Sequence, residues 1–246
     1  PSNTICRHDP IYRRGMTSLR CAALAAIALA ACGGDDVSVT SVDAAVDSGG
    51  CDPTTALPTQ WRPIATVSAG ALAVTTTGGV TSGTLDATAG GTAAAADNPY
   101  LYLDLATGTK LDLTDVDALS STAWHVGWKR AGIKLNGGDS GPGQVAAAPV
   151  AVELLEDVDT APAALQLDDW ADPDCALVAG PTGEPATVMS DWYAYDDQTH
   201  VLTPKRQVWV IRIATDTFVK LRIVTYYGDT ASPMRGAFYR LEWAAL

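Results

Sequence analysis

The sequence is short of the groups from which catalytic and metal sites are usually built. It holds three histidines, three methionines and two phenylalanines in 246 residues. Its five cysteines include no CxxC pair and no spacing of zinc ligands. There is no GxSxG elbow, phosphate loop, HExxH helix or dinucleotide fingerprint, so no enzyme class is marked by a motif. A Ser-His-Asp set can be drawn with either His125 or His200, but any chain with serines and aspartates allows that. The acidic pairs Asp168-Asp169 and Asp196-Asp197 stand outside any spaced run of calcium ligands, and solvated loops account for them more simply. Positive charge is also scarce. Sixteen Lys and Arg face 28 Asp and Glu, a formal net charge of -12. Repulsion from phosphate argues against nucleic acid and against electrostatic docking on anionic lipid, and the acidity serves solubility.

What the chain has in quantity is strand-forming sequence. The clearest stretch is Arg206 to Tyr227, RQVWVIRIATDTFVKLRIVTYY. Trp209, Ile211 and Ile213 fall on one face of a first strand, and Val219, Leu221 and Ile223 on one face of a second, because strand side chains alternate with a period of two. Arg212, Lys220 and Arg222 lie between them and are expected to point outward. Ala214-Thr215-Asp216-Thr217 is a short polar hairpin turn.

The beginning of the chain has a different pattern. Residues 1–15 precede the first methionine, Met16, and are read as lying upstream of the translation start. From Met16, Arg20 supplies a positive region and Cys21 to Ala31 an uncharged apolar run. That run is too short to span a bilayer and the right length for the core of a signal peptide. Leu29-Ala30-Ala31-Cys32 resembles a bacterial lipobox, with Cys32 as the lipidated first residue of the mature protein. Residues 1–32 are therefore assigned to the upstream segment and signal peptide, and residues 33–58 to a flexible acidic tether poor in large apolar groups. Of the cysteines, only Cys51 and Cys175 then remain for a disulfide in an oxidising compartment; two unpaired thiols are the alternative.

Residues 59–246 read as one all-β domain built from antiparallel hairpins. The apolar fraction of the chain, 47%, is enough for a sizeable core. Strands are expected at Trp61–Val67, Ala69–Thr77, Tyr100–Leu105, Lys110–Leu113 and Ser121–Arg130. Others are expected near Ile133–Leu135, at Trp192–Tyr195, and at the C-terminus through Ala237, Tyr239, Leu241 and Trp243. GGDSGPG at 137–143 is a loop. Val150–Leu155 reads as a short helix or an irregular strand. The acidic, proline-containing stretch holding Asp157, Asp159, Asp168, Asp169, Asp172 and Asp174 loses the period of two and is expected to be a long surface excursion.

Several motifs then fall together: YLYLDLATGTKL, WHVGWKR, KLNGGDSGPG and THVLTPKRQVWVIRIATDTFVKLRIVTYY. In this order, behind a lipoprotein signal, they resemble the HmuY family of bacterial haem-binding lipoproteins. The resemblance covers most of residues 98–245, least well in the acidic excursion. It implies a non-catalytic, lipid-anchored all-β protein of the outer membrane or cell surface. Such a protein captures haem, from solution or from a haem-carrying protein, and passes it to an outer-membrane receptor, its iron held by two axial histidine or methionine side chains. Two positions depart from the family pattern. His125 stands where an acidic residue usually follows the tryptophan, and Asp216-Thr217 replace the usual turn glycine.

Axial ligands are therefore sought by chemistry, since haem iron takes an imidazole or a thioether. The mature chain offers His125, His200, Met189 and Met234. His200 lies in the loop Asp196–His200 just before a strand, at a rim from which a flat ligand can be reached. A solvated loop histidine is the plainer alternative. His125 lies opposite the face of Trp124 and Trp128, and a hydrogen-bonded strand histidine explains it more simply than ligation. Met189, near Trp192 and Tyr193, is a candidate second ligand or a core filler. Tyr100, Tyr102, Trp192, Tyr193, Tyr195, Tyr226 and Tyr227 are available to a porphyrin face, and only a minority is expected to touch one, because Tyr and Trp also favour strands for packing alone. A lipid-anchored interaction module of the same fold, without haem, is the competing reading.

Overall fold

In the computed structural model, which describes residues 52–88, 97–180, 183–228 and 235–246, the stretch Arg206 to Tyr227 forms the hairpin read from the sequence. Twelve strands are found among the described residues. In chain order they are β1 (Leu72–Thr77), β2 (Val80–Asp86), β3 (Leu101–Asp104), β4 (Thr109–Leu111), β5 (Val126–Lys129) and β6 (Gly132–Leu135). They continue as β7 (Ala146–Val150), β8 (Tyr193–Asp196), β9 (Val201–Pro204), β10 (Val208–Ala214), β11 (Thr217–Thr225) and β12 (Phe238–Ala245). All ladders are antiparallel. A six-stranded sheet runs β1-β2-β12-β11-β10-β7, a four-stranded sheet β4-β3-β5-β6, and β8-β9 stand apart as a pair. The one α-helical turn among the described residues, Asp115–Ala118, is started by a capping box: Thr114 Oγ1 accepts from the Asp117 N–H, and the Asp117 carboxylate accepts from the Thr114 N–H. No helix among the described residues is long and apolar enough to cross a membrane.

The alternation in the hairpin decides how the sheets meet. In the β10–β11 register Trp209 stands opposite Leu221 and Ile211 opposite Val219. These four, with Ile223, join the main core, and half-buried Ile213 packs against it. From β12, Tyr239, Leu241 and Trp243 enter the same core, and the facing sheet contributes Leu101, Leu103, Val126, Trp128, Ile133 and Leu135. Burying each such side chain is worth roughly 1.5–3 kcal/mol, so this double layer supplies most of the stabilisation. The opposite face of β10 carries Val208 and Val210, which Leu155 and Val158 cover. The cations of the hairpin face outward: Lys220 Nζ donates to the Val158 carbonyl (3.0 Å) and Arg222 lies 3.6 Å from Glu242.

Three local expectations change. Trp61–Val67 is not a strand; Thr59–Trp61 is a 3-10 turn, and Trp61 packs on a second cluster with Tyr100, Tyr102 and Trp124. The last residues assigned to the tether, 52–58, are ordered into this same wall: Pro53–Ala56 form a 3-10 turn, Leu57 is buried, and its carbonyl accepts from Arg62 Nε at 3.1 Å. The acidic excursion is not wholly at the surface. Asp168 and Trp170 are buried. The Asp168 carboxylate accepts the Leu135 N–H (2.8 Å) and the Val188 N–H (3.0 Å), and its carbonyl accepts the Asp139 N–H (2.9 Å). Unpaired backbone donors at the end of the four-stranded sheet require an acceptor, and this aspartate supplies it.

Candidate functional site

The turn joining β5 to β6 is where the site begins. Lys129 pairs with Gly132, so Arg130 and Ala131 form the tight connection. Arg130 sits in the left-handed region at φ 52, which costs a non-glycine residue energy unless neighbours hold it. Two buried aromatic donors do so. Tyr239 Oη donates to the Arg130 carbonyl and Trp192 Nε1 to the Ala131 carbonyl (2.9 Å). Gly132 then lets Trp61 lie directly on the strand end; a Cβ there would stand 2.8 Å from the Trp61 ring.

The facing wall is the β8–β9 hairpin. It is tied down by the Leu202 N–H, which donates to Tyr227 Oη (2.8 Å), and the Lys205 N–H, which donates to the Trp192 carbonyl (2.9 Å). Its turn is shaped by Asp196, whose carboxylate accepts the Gln198 and Thr199 N–H groups, bonds that hold its pKa below the ordinary value. His200 closes the turn at φ 57. Its Nδ1 lies 2.6 Å from Tyr195 Oη, and both side chains are exposed.

Between these walls lies an open pocket of about 400 Å³, within the size range of small-molecule sites. Lys129, Arg130 and Ala131 border it from the β5–β6 turn, Tyr195, His200 and Leu202 from the hairpin, Gln60 and Trp61 from the N-terminal wall, and Tyr226 from the end of β11. Tyr226 is buried and its hydroxyl pKa is pushed up to about 12, chiefly by desolvation. It belongs to a ring cluster with Trp192, Tyr227 and Tyr239 at centroid distances of 5.0–5.5 Å. No acidic side chain lines the pocket.

The structure does not gather the sequence candidates at one point. Of His200, His125 and Met189, only His200 borders the pocket. His125 precedes β5, at the end opposite Arg130 and about 16 Å away at ~3.3 Å per strand residue. Its Nδ1 lies 3.1 Å from the Leu105 N–H and 3.0 Å from Asp104 Oδ1. Burial lowers its pKa against the pull of Asp104, which favours the neutral ring accepting from Leu105. Met189 is sealed in the main core with no exposed surface. A His200–His125 or His200–Met189 pair across one ligand is therefore not formed by this arrangement. Cys32, Cys51 and Met234 lie outside the described residues. Cys175 is disulfide-bonded. Among the described residues no group of three or more His, Cys, Asp and Glu side chains is placed to hold a metal ion.

Sequence reasoning missed Trp61, Lys129 and Arg130. The available signal was two adjacent cations closing the WHVGWKR strand of an otherwise acidic chain. Of the seven aromatics considered for a porphyrin face, Tyr195 and Tyr226 reach the pocket. Tyr100 and Tyr102 instead form, with Trp124, a cage around Lys134, whose Nζ lies 4.3, 5.1 and 5.3 Å from the three ring centroids. Burial lowers the Lys134 pKa to about 8.

A family model described as "HmuY protein" matches residues 96–238, more than half of the chain. No curated protein matches. Solved structures resemble the fold at low identity. A candidate lipoprotein of Bacteroides fragilis is 16% identical, with 74% of this chain and 94% of that chain covered and a TM-score of 0.48. The ligand-free HmuY analog of Tannerella forsythia is 13% identical (71% and 96% covered, TM-score 0.48). A candidate HmuY-like haem-binding protein of Bacteroides vulgatus is 16% identical (66% and 91% covered, TM-score 0.42).

Proposed function

The chain belongs to the HmuY family, and from that premise we propose that it is an exported, lipid-anchored protein that captures haem in the pocket between the β5–β6 turn and the β8–β9 hairpin and catalyses no reaction. The observation that carries this reading is His200 at the pocket rim with Tyr195 Oη on its Nδ1. In the tautomer whose Nδ1–H donates to Tyr195, the Nε2 lone pair is left for a metal, and that hydrogen bond orients the ring as metal-ligating histidines require.

The pocket's residues fit the group. Tyr226, Trp61 and Leu202 offer apolar surface to a porphyrin plate, Arg130 at the pocket's border carries positive charge to suit a ligand with carboxylates, and His200 is the imidazole for iron. Haem would bring redox-active iron; the protein's part is to hold and shield it. Cys32 is the proposed lipid attachment point, Cys51 the proposed disulfide partner of Cys175, and an outer-membrane receptor the proposed recipient of the cargo.

Titrating the purified domain with hemin tests the reading. A sharp, shifted Soret band is expected, lost or displaced when His200 is replaced by alanine. A free-hemin spectrum at equimolar protein overturns it and leaves the interaction-module reading in its place. Incorporation of labelled palmitate, abolished by Cys32→Ser, checks the anchor.

A further inference from the structure

The two larger sheets end in β1 and β7, and in β4 and β6. A free edge offers a row of backbone donors and acceptors to any extended chain, and proteins blunt it with charge, proline, shortness or a cover. Three of these edges are blunted. β7 carries Pro149, and its Ala147 exchanges both backbone bonds with Gln166 at 2.9 Å. β6 gives its Leu135 N–H to the Asp168 carboxylate and takes the Thr187 hydroxyl at its Ile133 carbonyl. β4 is three residues long and holds Lys110 at its centre.

β1 has none of these protections. Its six residues, LAVTTT, include no charge and no proline, and no charged side chain occurs between Arg62 and Asp86. The Gly78-Gly79 turn, with φ 59 and 82, suits a tight hairpin and holds β1 on β2 through Thr77 and Val80. The Asp86 N–H donates to the Ala71 carbonyl (2.8 Å) at the other end of the ladder. Backbone groups alternate in direction along an antiparallel strand. Ala73, Thr75 and Thr77 therefore turn their N–H and C=O groups to β2, and Leu72, Val74 and Thr76 turn theirs to the open edge. Among the described residues nothing bonds these outward groups. Val74 stands opposite Gly83, and Gly83 opposite core Leu241, which puts Val74 on the core face at the rim of the sheet, 42% exposed.

We propose that β1 is a dimerisation edge, at which two copies of this chain pair antiparallel about a two-fold axis at Val74 and join their six-stranded sheets. Val74 then faces its own counterpart and Leu72 faces Thr76 of the second copy, so every outward N–H meets a carbonyl. A two-fold contact requires a patch that complements itself. An antiparallel strand does so by its backbone alone, and β-branched Val74 gains a cross-strand partner. The absence of charge decides the occupant. Copies of net charge -12 can approach here without like charges across the axis, while the edge has no charge with which to select a foreign strand. One strand pair is a small interface, so the dissociation constant is expected on the order of 10–100 µM. The proposal is independent of what the pocket binds.

Sedimentation velocity on the chain from residue 33 tests it, over concentrations from roughly tenfold below to tenfold above that constant. A reversible monomer–dimer equilibrium is expected, with no intermolecular disulfide in non-reducing electrophoresis. Val74→Lys and Val74→Glu should each weaken the dimer at least about tenfold by setting like charges face to face. Their equimolar mixture should regain it as a heterodimer. Thr76→Pro removes an outward N–H and spares the ladder to β2, so it should weaken the dimer at an unchanged Tm. Thr75→Pro removes a ladder N–H and should lower the Tm instead. A chain that stays monomeric, a dimer that survives Val74→Lys and Thr76→Pro, or a mixture that does not recover overturns the proposal. So does protection of the Leu72, Val74 and Thr76 amides from hydrogen exchange that is the same at every concentration, which gives the edge to another segment of the same chain.

Discussion

Single residues set the chemistry, and Asp168 shows how far burial moves it. Desolvation raises its pKa to about 6 against the backbone donors that hold it. The folded value exceeds the unfolded value of about 3.9, so the folded state binds this proton more tightly. Stability from this group is highest below pH ~4 and falls as pH rises to about 6, by about 3 kcal/mol in all. Urea denaturation at pH 4, 5, 6 and 7 should show that slope. Asp168→Asn should flatten it, and should cost about 1–3 kcal/mol at pH 4 and less as the pH rises, because the amide replaces one acceptor oxygen by an NH2 donor and leaves an N–H without a partner. Type and position made His200 legible as a ligand candidate in the sequence. Lys129 and Trp61 were not legible, because nothing in one dimension says that a cation ending a strand will be roofed by an indole sixty-eight residues earlier.

Elements were legible where one physical rule governed them. Period-two alternation gave the β10–β11 hairpin, its facing sets and the last strand, because each strand has one face on a common core. It failed for Trp61–Val67 and for the acidic excursion, which are held by side-chain-to-backbone bonds that leave no periodic trace. The excursion hangs on Gly138, whose φ is +62 and whose added Cβ would collide with the Asp168 carbonyl. Gly138→Ala is expected to cost about 3 kcal/mol and to open residues 159–180 to limited proteolysis before global unfolding. Gly132→Ala presses on the Trp61 ring. It should cost about 1–3 kcal/mol in chemical denaturation and shift tryptophan emission to the red as the indole is displaced. Porphyrin affinity should fall with it, which ties the wall to the site.

At the scale of the molecule, the sequence-based domain start at residue 59 and the packed start differ by one turn of chain. In reductant, where no disulfide contributes, a protein beginning at residue 47 should denature at a higher temperature than one beginning at 59, by the few degrees that about 1–2 kcal/mol represents in a domain this size, since the shorter one loses Leu57 and its bond to Arg62. Cys175→Ser should lower stability by about 2–4 kcal/mol under oxidising conditions and change nothing in reductant. The sheet order carries a consequence for biogenesis. β12 follows the other described strands in the chain, yet it lies between β2 and β11 near the middle of the six-stranded sheet. Until residue 245 has left the ribosome, the two halves of that sheet have no strand to join them, so the core stays open up to that point of synthesis.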